Sequence, residues 1–373
     1  SFIVFAEESI LVALNKMNAS KIPFIFTVTE DGLLHGVLTN GDVRRWLTST
    51  PNIDLGEPVA KLANRGVTYA RVDAPPERIR ALFSSAIAVV PLVDQQHRIV
   101  GVALPGEPEL RIAGRVINNT SPAYIIAEIG NNHQGDPAMA RQLVDVCVAA
   151  GADCVKFQMR NMKALYRTGA RSSEASEDLG SQYTLDLLER FNLPSDELLR
   201  LFDYCLERGI TPLCTPWDEE SVDILDSWGM EGFKVASADM TNHPLLRHMA
   251  GKAKPLFVST GMSSDAEIRD SAELLRGLGA AFALLHCNST YPTPFKDVNL
   301  VYMARLQALT NSVVGYSGHE RGYHVPIAAV AMGARVIEKH VTLDRGLEGS
   351  DHKVSLLPDE LRTMVASIRE VEE

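Results

Sequence analysis

From residue 123 onward, short apolar segments rich in β-branched residues alternate with longer amphipathic segments that have helical spacing. The eight apolar segments are AYIIAEIG, CVKFQ, TPLCTPW, GFKVASAD, PLFVSTGM, FALLHCNS, SVVGYSGH and VIEKHVTL. Eight strand–helix units in succession predict an α/β fold, a (β/α)8 TIM barrel over residues 123–373. A doubly wound open sheet is the alternative, although AEIGNNHQGD is not the Gly-x-Gly-x-x-Gly turn typical of that fold.

Residues 1–105 differ, because one pattern occurs there twice. The helix-like segment ESILVALNKMNAS precedes the hairpin pattern PFIFTVTEDGLLHGVL, and PPERIRALFSS precedes a second one, AIAVVPLVDQQHRIVGVAL. This duplication predicts a small α/β domain built from two copies that pack together. Residues 106–122 contain Gly, Pro and Asn, which break the periodicity, so we predict a linker there.

Composition narrows the class of protein. The 373 residues are 46% hydrophobic and 22% charged, as in ordinary soluble globular proteins. The net charge of −11 argues against nucleic-acid binding, and no apolar run approaches the roughly 18 residues of a membrane span. The five cysteines form no Cys-x-x-Cys pair, which argues against a disulfide framework or structural zinc. Because no secretory signal is visible, we expect a cytoplasmic protein.

Polar or ionisable side chains lie toward the C-terminal end of each predicted strand. They are Glu128, Lys156, Gln158, Thr215, Lys234, Ser237, Ser259, His286, Ser289, Ser317, His319, Glu338 and His340. Lys156 and Gln158, like other pairs here, are two residues apart, which places both side chains on one face of a strand. Because TIM-barrel enzymes build their active sites at this end of the barrel, the pattern predicts an active site.

The residue types predict the chemistry. Lys156 and Lys234 have no evident acidic partner in their own motifs, and the surrounding hydroxyls add further donors. Together they predict a pocket for a ligand that carries phosphate and carboxylate groups. His319 and His340 end neighbouring strands and predict a catalytic divalent-metal site, with a neutral hydrogen-bonded pair as the alternative.

The last predicted strand, VIEKHVTL, carries charged residues inside an apolar segment. Buried charges are costly unless they are paired or bound to an ion. Glu338 shares a face with His340 and can orient its neighbours or a metal-bound water. Lys339 points the other way, and we expect it near the barrel mouth or a gap between helices.

At these motifs the chain resembles the sialic acid synthase family. AEIGNNHQGD, GADCVKFQ, CTPWD, FKVASAD, VSTGM, LLHCNSTYPTP, GYSGHE and EKHVTLD follow in the family's order between residues 123 and 355. The resemblance implies a transferase that forms a carbon–carbon bond between phosphoenolpyruvate and an open-chain hexose. The acceptor would be an N-acyl-hexosamine such as N-acetylmannosamine or a related hexose, and the products a nonulosonic acid and phosphate.

The resemblance also implies roles for individual residues. Positions that bind phosphoenolpyruvate correspond to Lys156, Thr215, Lys234, Ser237, Ser259, Ser289 and Ser317, and we add Gln158 and His286 as substrate-binding candidates. Glu128, Tyr291 and Asp351 correspond to residues around the reacting centre and the sugar, and Asp239 stands where the family usually has Glu. The candidate catalytic residues are Glu128, Asp239 and Glu338. His319 and His340 correspond to ligands of Mn²⁺ or Mg²⁺.

Three departures from the family pattern stand out. Gly318 lies where the family commonly has Asp, so we expect one polar contact beside His319 to be lost. Residues 166–185 contain no obvious match to the asparagine that binds the sugar amide in the family. The printed chain also carries no C-terminal antifreeze-like domain, which in the family brings an arginine to a partner's active site.

Residues 1–105 resemble a CBS-domain pair. GVLTNGDVRRWL matches the Gly-h-Thr/Ser-x-x-Asp element of that family, with Thr39 and Asp42 at its polar positions. The resemblance implies one site for an adenine or cytidine nucleotide, because the second copy, GVALPGEPE, lacks the pair. The alternatives are that Asp42 only caps the following helix and that the pair is a dimerisation module.

The expected partners are therefore small molecules and copies of the same chain. Related synthases pair their barrels, which implies a homodimer or a higher homo-oligomer. We expect no nucleic acid and no membrane partner. Two other functions stay open: another phosphoenolpyruvate- or pyruvate-dependent aldol-type enzyme, and a non-catalytic regulator that binds nucleotide and metabolite.

Overall fold

The computed structural model describes residues 2–84, 87–104, 106–165 and 186–373. The chain divides into two compact units, Ser1–Gly106 and Glu107–Glu373, where the sequence predicted a boundary at residue 105. The loop 166–185, in which the family's asparagine was sought, lies outside the described residues. Within the described ranges, no helix combines the length and the hydropathy that a membrane span needs.

The first unit contains two three-stranded sheets of the same design. Their strands are β1 Ile3–Phe5, β2 Phe24–Val28, β3 Leu34–Thr39, β4 Ala70–Arg71, β5 Val90–Val93 and β6 Ile99–Ala103, and the helices are α1 Ile10–Ser20, α2 Asn40–Ser49 and α3 Pro76–Arg80. In each sheet the first two strands are parallel and the last two form an antiparallel hairpin. The predicted helix–hairpin duplication is therefore present. Its assignment as a CBS pair stays a prediction.

Thr39 and Asp42 form a capping box at the start of α2. The Asp42 carboxylate accepts hydrogen bonds from the Thr39 backbone N–H (2.9 Å) and the Thr39 hydroxyl (2.6 Å). The Thr39 Oγ1 accepts in return from the Asp42 N–H at 3.2 Å. The other Asp42 oxygen pairs with Arg45. Asp42 therefore caps this helix, because both of its carboxylate oxygens satisfy local donors, and a nucleotide site at the same residues stays a prediction.

The second unit is a closed barrel of eight parallel strands, which confirms the predicted barrel over the open sheet. Its strands are β9 Tyr124–Glu128, β10 Cys154–Met159, β11 Thr211–Pro216, β12 Phe233–Val235, β13 Leu256–Ser259, β14 Phe282–Cys287, β15 Val313–Gly318 and β16 Val336–His340. Pairing of β16 with β9, from Val336 opposite Tyr124 to His340 opposite Glu128, closes it. Its helices are α4 Pro137–Ala150, α5 Met162–Leu165, α6 Ser195–Glu207, α7 Glu219–Trp228, α8 His243–Ala250, α9 Asp265–Gly277, α10 Tyr302–Thr310, α11 His324–Ala331 and α12 Pro358–Glu372.

Strand alternation separates the two faces of the barrel wall. Phe157 and Val235 face outward and are fully buried in the core shared with the helices, where Phe157 meets Phe202 edge-on at 5.7 Å. Lys156 and Lys234, one residue earlier, point into the barrel. The apolar outward positions hold the helices against the wall, so the inward positions at the strand ends are free to carry chemistry.

The segment predicted as a linker instead forms a β-hairpin, β7 Glu109–Ile112 and β8 Arg115–Asn118, which belongs to the second unit. Ala113 (φ 46°) and Gly114 (φ 75°) make the turn, and this conformation suits a two-residue hairpin loop. Leu110 packs with Tyr124 and Phe257 in the apolar cluster inside the barrel. Gly114 therefore belongs to a hairpin turn, and the hairpin covers the end of the barrel opposite the polar strand ends.

We expect Leu110→Ala to destabilise the barrel by about 2–5 kcal/mol, because it leaves a cavity in this buried cluster. The neighbouring, exposed Arg111 offers the control, and Arg111→Ala should change stability by less than about 0.5 kcal/mol. Urea unfolding in a Trp46→Phe background would follow the barrel through Trp217 and Trp228. Equal midpoints for the two variants would show that the hairpin contributes nothing to the barrel core.

Candidate active site

The C-terminal ends of the barrel strands surround a cavity of about 250 Å³. Its polar lining comprises Glu128, Lys156, Gln158, Thr215, Trp217, Lys234, Ser237, Ser259, Ser289, Tyr291, Ser317, His319, Glu338, His340 and Asp351. Nearly all the site residues predicted from the sequence therefore come together, although they are spread over more than 200 positions of the chain. The shared strand position explains this convergence, because parallel strands end at one rim.

Lysines and glutamates alternate at the floor of the cavity. The Lys156 Nζ lies 2.7 Å from Glu128 Oε2 and donates to Thr215 Oγ1 at 3.0 Å. The Lys234 Nζ donates to Ser259 Oγ at 2.7 Å and lies 4.0 Å from Glu338 Oε1. Each lysine therefore meets a carboxylate that comes from another strand rather than from its own motif. The four side chains form a buried cluster of two cations and two anions.

This cluster sets the protonation of its members. Burial alone would raise the pKa of Glu338, but the charges of Lys156 and Lys234 lower it to about 2. Burial also opposes the charge of Lys156, yet Glu128 and Glu338 raise its pKa above the usual value. For Lys234 burial dominates and lowers the pKa despite the attraction of Glu338. These directions favour the ionised forms of Glu338 and Lys156. Of the two lysines, Lys234 has the less stabilised positive charge.

Glu128 is held in place from two sides. Besides Lys156, it accepts a hydrogen bond from Gln158 Nε2 at 2.8 Å, and the Gln158 oxygen accepts one from Arg160. The Arg160 guanidinium lies over the Trp217 ring, 4.6 Å from its centroid. This chain fixes the direction of a carboxylate that faces the cavity, as a group that moves a proton requires.

The two histidines lie side by side, with ring centroids 5.5 Å apart. The His319 Nδ1 is 2.6 Å from the carbonyl oxygen of Asn288, to which it donates, and its Nε2 accepts from the Tyr291 hydroxyl at 2.7 Å. Burial lowers the pKa of His319 to about 3, so its imidazole is neutral. The His340 Nδ1 is buried without a hydrogen-bond partner, 3.7 Å from Asp351 Oδ2.

These observations fit a metal ligand pair better than the alternative of a mutual hydrogen bond. His319 bonds to Tyr291 and Asn288 rather than to His340, and neutral imidazoles are the form that binds metals. The unsatisfied nitrogen of His340 is an available ligand atom. In the described parts of the chain, however, no three His, Cys, Asp or Glu side chains are grouped so that they could hold an ion.

Two predicted site residues lie away from the cavity. His286 faces outward, donates from Nε2 to the Val298 carbonyl oxygen at 2.6 Å and packs against Tyr302. Its neighbour Cys287 lines the cavity instead, because adjacent strand residues point to opposite sides. His286 therefore serves as a helix-facing core group.

Asp239 lies in the short helix Ser237–Asp239. It accepts a hydrogen bond from Asn242 at 3.0 Å, and burial raises its pKa.

Trp217, Met262 and Cys287 line the cavity but were not predicted as site residues. Trp217 follows the strand in the motif CTPWD, and that position was its only sequence signal. It also lines a second, adjoining cavity of about 290 Å³ with Asn131, Asn132, Gln158, Arg160, Tyr291, Glu348 and Asp351. The second cavity is rich in amides and extends the site away from the lysines. A substrate of two parts could therefore span both spaces.

The sequence model of the NeuB family matches residues 143–373. The chain is 39% identical to the N,N'-diacetyllegionaminic acid synthase of Campylobacter jejuni over 253 residues, which are 66% of this chain and 76% of that protein. It is 37% identical to the human N-acetylneuraminate-9-phosphate synthase over 272 residues, 72% of this chain and 75% of that protein.

A solved structure gives the same picture. The crystal structure of N-acetylneuraminic acid synthetase from Leptospira borgpetersenii, in complex with citrate, is similar to this chain with a TM-score of 0.65 and 32% identity. The similarity covers 71% of this chain and 89% of that one. The shared part is thus most of the other protein and only part of this one.

The low pKa of Glu338 predicts how the fold responds to acid. A carboxylate whose pKa falls from 4.5 to about 2 on folding contributes stability above pH 4.5 that is lost as the pH drops toward 2. We expect the difference in free energy of unfolding between wild type and Glu338→Gln to shrink over that interval. Urea unfolding at several pH values measures it, with the exposed Asp359→Asn as control. A difference independent of pH would contradict the assigned pKa.

Proposed function

Because this chain belongs to the NeuB family, we propose that it joins phosphoenolpyruvate to an open-chain N-acyl-hexosamine or related hexose, giving a nonulosonic acid and phosphate. The family match and the relatives confirm the predicted sialic acid synthase-type enzyme. The choice of acceptor and the residue roles are the proposal. The observation that carries it is the meeting of two buried lysines and two neighbouring imidazoles in one cavity.

The lysines are the proposed site for phosphoenolpyruvate. Its phosphate and carboxylate can accept charge-assisted hydrogen bonds from Lys156 and Lys234, and Thr215 and Ser259 already hold the two ammonium groups in place. Glu128 and Glu338 neutralise the lysines before substrate arrives. The site is therefore organised in advance, which lowers the entropic cost of aligning two substrates.

His319 and His340 are the residues that would hold a divalent metal, Mn²⁺ or Mg²⁺. When bound there, such an ion polarises the aldehyde of the acceptor sugar as a Lewis acid. The Asn288 carbonyl fixes the tautomer of His319, so its Nε2 is the nitrogen with a lone pair.

The proposed reaction forms two bonds to carbon and breaks one. C3 of phosphoenolpyruvate attacks the aldehyde carbon, whose oxygen takes up a proton and becomes a hydroxyl. Water adds at C2, and the C2–O bond to phosphate then breaks as C2 becomes a carbonyl. Glu128 is the candidate to take the proton from that water, because Lys156 and Gln158 hold its carboxylate toward the cavity. Glu338 orients Lys234 and Ser317, which donates to it at 3.0 Å. Asp239 is absent from the cavity lining although Ser237 and Ala238 belong to it, and its catalytic role stays a prediction.

The remaining sequence predictions concern the rest of the molecule. A nucleotide at Thr39 and Asp42 stays a prediction, and it requires the capping box at α2 to accept a ligand as well. A homo-oligomer and a cytoplasmic location also stay predictions.

The reaction is tested by phosphate release from phosphoenolpyruvate across a panel of hexoses and N-acyl-hexosamines, with and without Mn²⁺. We expect release only with an acceptor present, loss after exhaustive chelation, and restoration by Mn²⁺. His340→Ala should lose turnover while the circular dichroism spectrum is kept. Full activity after chelation would refute the metal. Phosphate release without any acceptor would refute the condensation.

Phosphoenolpyruvate recognition is tested by Lys156→Met. We expect its KM for phosphoenolpyruvate to rise at least about tenfold, because a charge-assisted hydrogen bond contributes roughly 1.5–3 kcal/mol and Glu128 would then repel the substrate. Lys254→Met is the matched control, since Lys254 pairs with Asp226 on the outside of the barrel. An unchanged KM in Lys156→Met, or an equal rise in Lys254→Met, would contradict the assignment.

A further inference from the structure

A second buried ion pair lies behind the barrel wall, on the side of the helices. The Lys339 Nζ is 2.8 Å from Glu320 Oε1, and both side chains have 0% exposure. The same ammonium donates to the backbone carbonyl oxygen of Glu320. The Tyr316 hydroxyl donates to the other carboxylate oxygen at 2.5 Å. Lys339 was expected near the barrel mouth or a gap between helices; it has no exposed surface there, and Glu320 pairs with its charge.

This pair flanks the two histidines in sequence. Glu320 directly follows His319, and Lys339 directly precedes His340. Because Lys339 sits within β16, its side chain points away from the cavity that His340 faces. Glu320 and Lys339 are therefore each adjacent in sequence to one of the two histidines. The side chains of the pair and those of the histidines lie on opposite sides of the barrel wall.

The position of the pair matters because the strand ladder ends there. The last paired residues of β15 and β16 are Gly318 and Lys339, so His319 lies beyond the ladder between these strands. Beyond the ladder, the hydrogen bonds from Lys339 to the Glu320 carbonyl and carboxylate still connect the end of β15 to β16. His319 is otherwise held by its carbonyl, which accepts from the Thr293 N–H at 3.0 Å, and by its ring contacts.

Gly318 is what makes room for the carboxylate. A Cβ at this position would lie 2.7 Å from Glu320 Oε2 and 2.8 Å from Oε1, closer than real atoms approach. The glycine was expected to remove a polar contact beside His319. The structure instead places a carboxylate against the glycine, supplied from two residues further along the chain.

We propose that Glu320 and Lys339 are positioning residues that fix the spacing of His319 and His340 from behind the barrel wall. The inference rests on the proposed metal site, but the spacing itself is a property of the metal-free chain. A purely structural pair would stabilise the fold without setting the imidazoles, and the two roles predict different results.

The first experiment measures Mn²⁺ binding to the full chain by calorimetry, without substrates. We expect Lys339→Met and Glu320→Gln to weaken binding at least about tenfold, as loss of groups that orient metal ligands commonly does. Gly318→Ala should do the same without removing a charge, because its methyl group displaces the carboxylate. Arg369→Met is the control: it breaks a bond to Asp153 at the far end of the barrel. It should lower Tm and leave Mn²⁺ affinity unchanged.

The double variant Glu320→Gln/Lys339→Met separates positioning from stability. Removing both charges leaves no unpaired ion, so Tm should recover toward wild type. The proposal expects Mn²⁺ affinity to stay low in this variant. Affinity that recovers together with Tm, or single variants that bind Mn²⁺ as wild type does, would overturn the proposal.

The second readout needs no metal. Nitrogen-15 spectra of the imidazoles, assigned with His319→Gln and His340→Gln, should show shifted resonances for both histidines in Lys339→Met but not in Arg369→Met. Unchanged resonances in Lys339→Met would overturn the proposal whatever the metal result. If the wild type bound no Mn²⁺ while the resonances still shifted, the metal site would be refuted and the positioning role would stand.

Discussion

Mutual neutralisation of buried charges is the constraint on which this site depends. Four ionic side chains, Lys156, Lys234, Glu128 and Glu338, lie at the barrel mouth with at most 5% exposure. None could be ionised there alone, since an unpaired buried charge costs far more than one hydrogen bond returns. Each is therefore tolerable only because the barrel closes and brings the others to the same rim. The closed barrel is therefore what assembles the site.

The same constraint bears on how the proposed anionic substrate would bind. Each lysine ammonium has three N–H donors, and two of them are engaged within the protein. A phosphate or carboxylate group can accept from the remaining donor of Lys156 or Lys234. Binding then adds charge-assisted hydrogen bonds without leaving Glu128 or Glu338 unpaired. The lysines keep their orientation throughout, because Thr215 and Ser259 hold them from the side.

Much of this arrangement could be predicted from the sequence. Strand periodicity indicates which side chains share a face, and barrel geometry brings the C-terminal ends of all strands to one rim. Lys156 and Glu338 are nearly 200 residues apart, yet each could be placed at the same rim from its own strand. The phase of β14 was misassigned: His286 was placed in the cavity, but Cys287 lines it, and a difference of one residue reverses the face. The hairpin at Leu110 was read as a linker because its turn residues resemble those of a loop. The pairing of Lys339 with Glu320 was beyond prediction, since nothing in either motif indicates its partner.

The side chains of strand β16 alternate between the two sides of the barrel wall. Glu338 faces the lysines, Lys339 is bound to Glu320 behind the wall, and His340 stands beside His319 in the cavity. Of these three consecutive charged or ionisable residues, two therefore enter the cavity and the one between them is paired on the other side of the wall. An apolar strand could carry none of these contacts, and a strand shifted by one residue would bury Glu338 and His340 among the helices. The polar residues that look unsuited to a buried strand thus fix its register, and the register in turn fixes the active site.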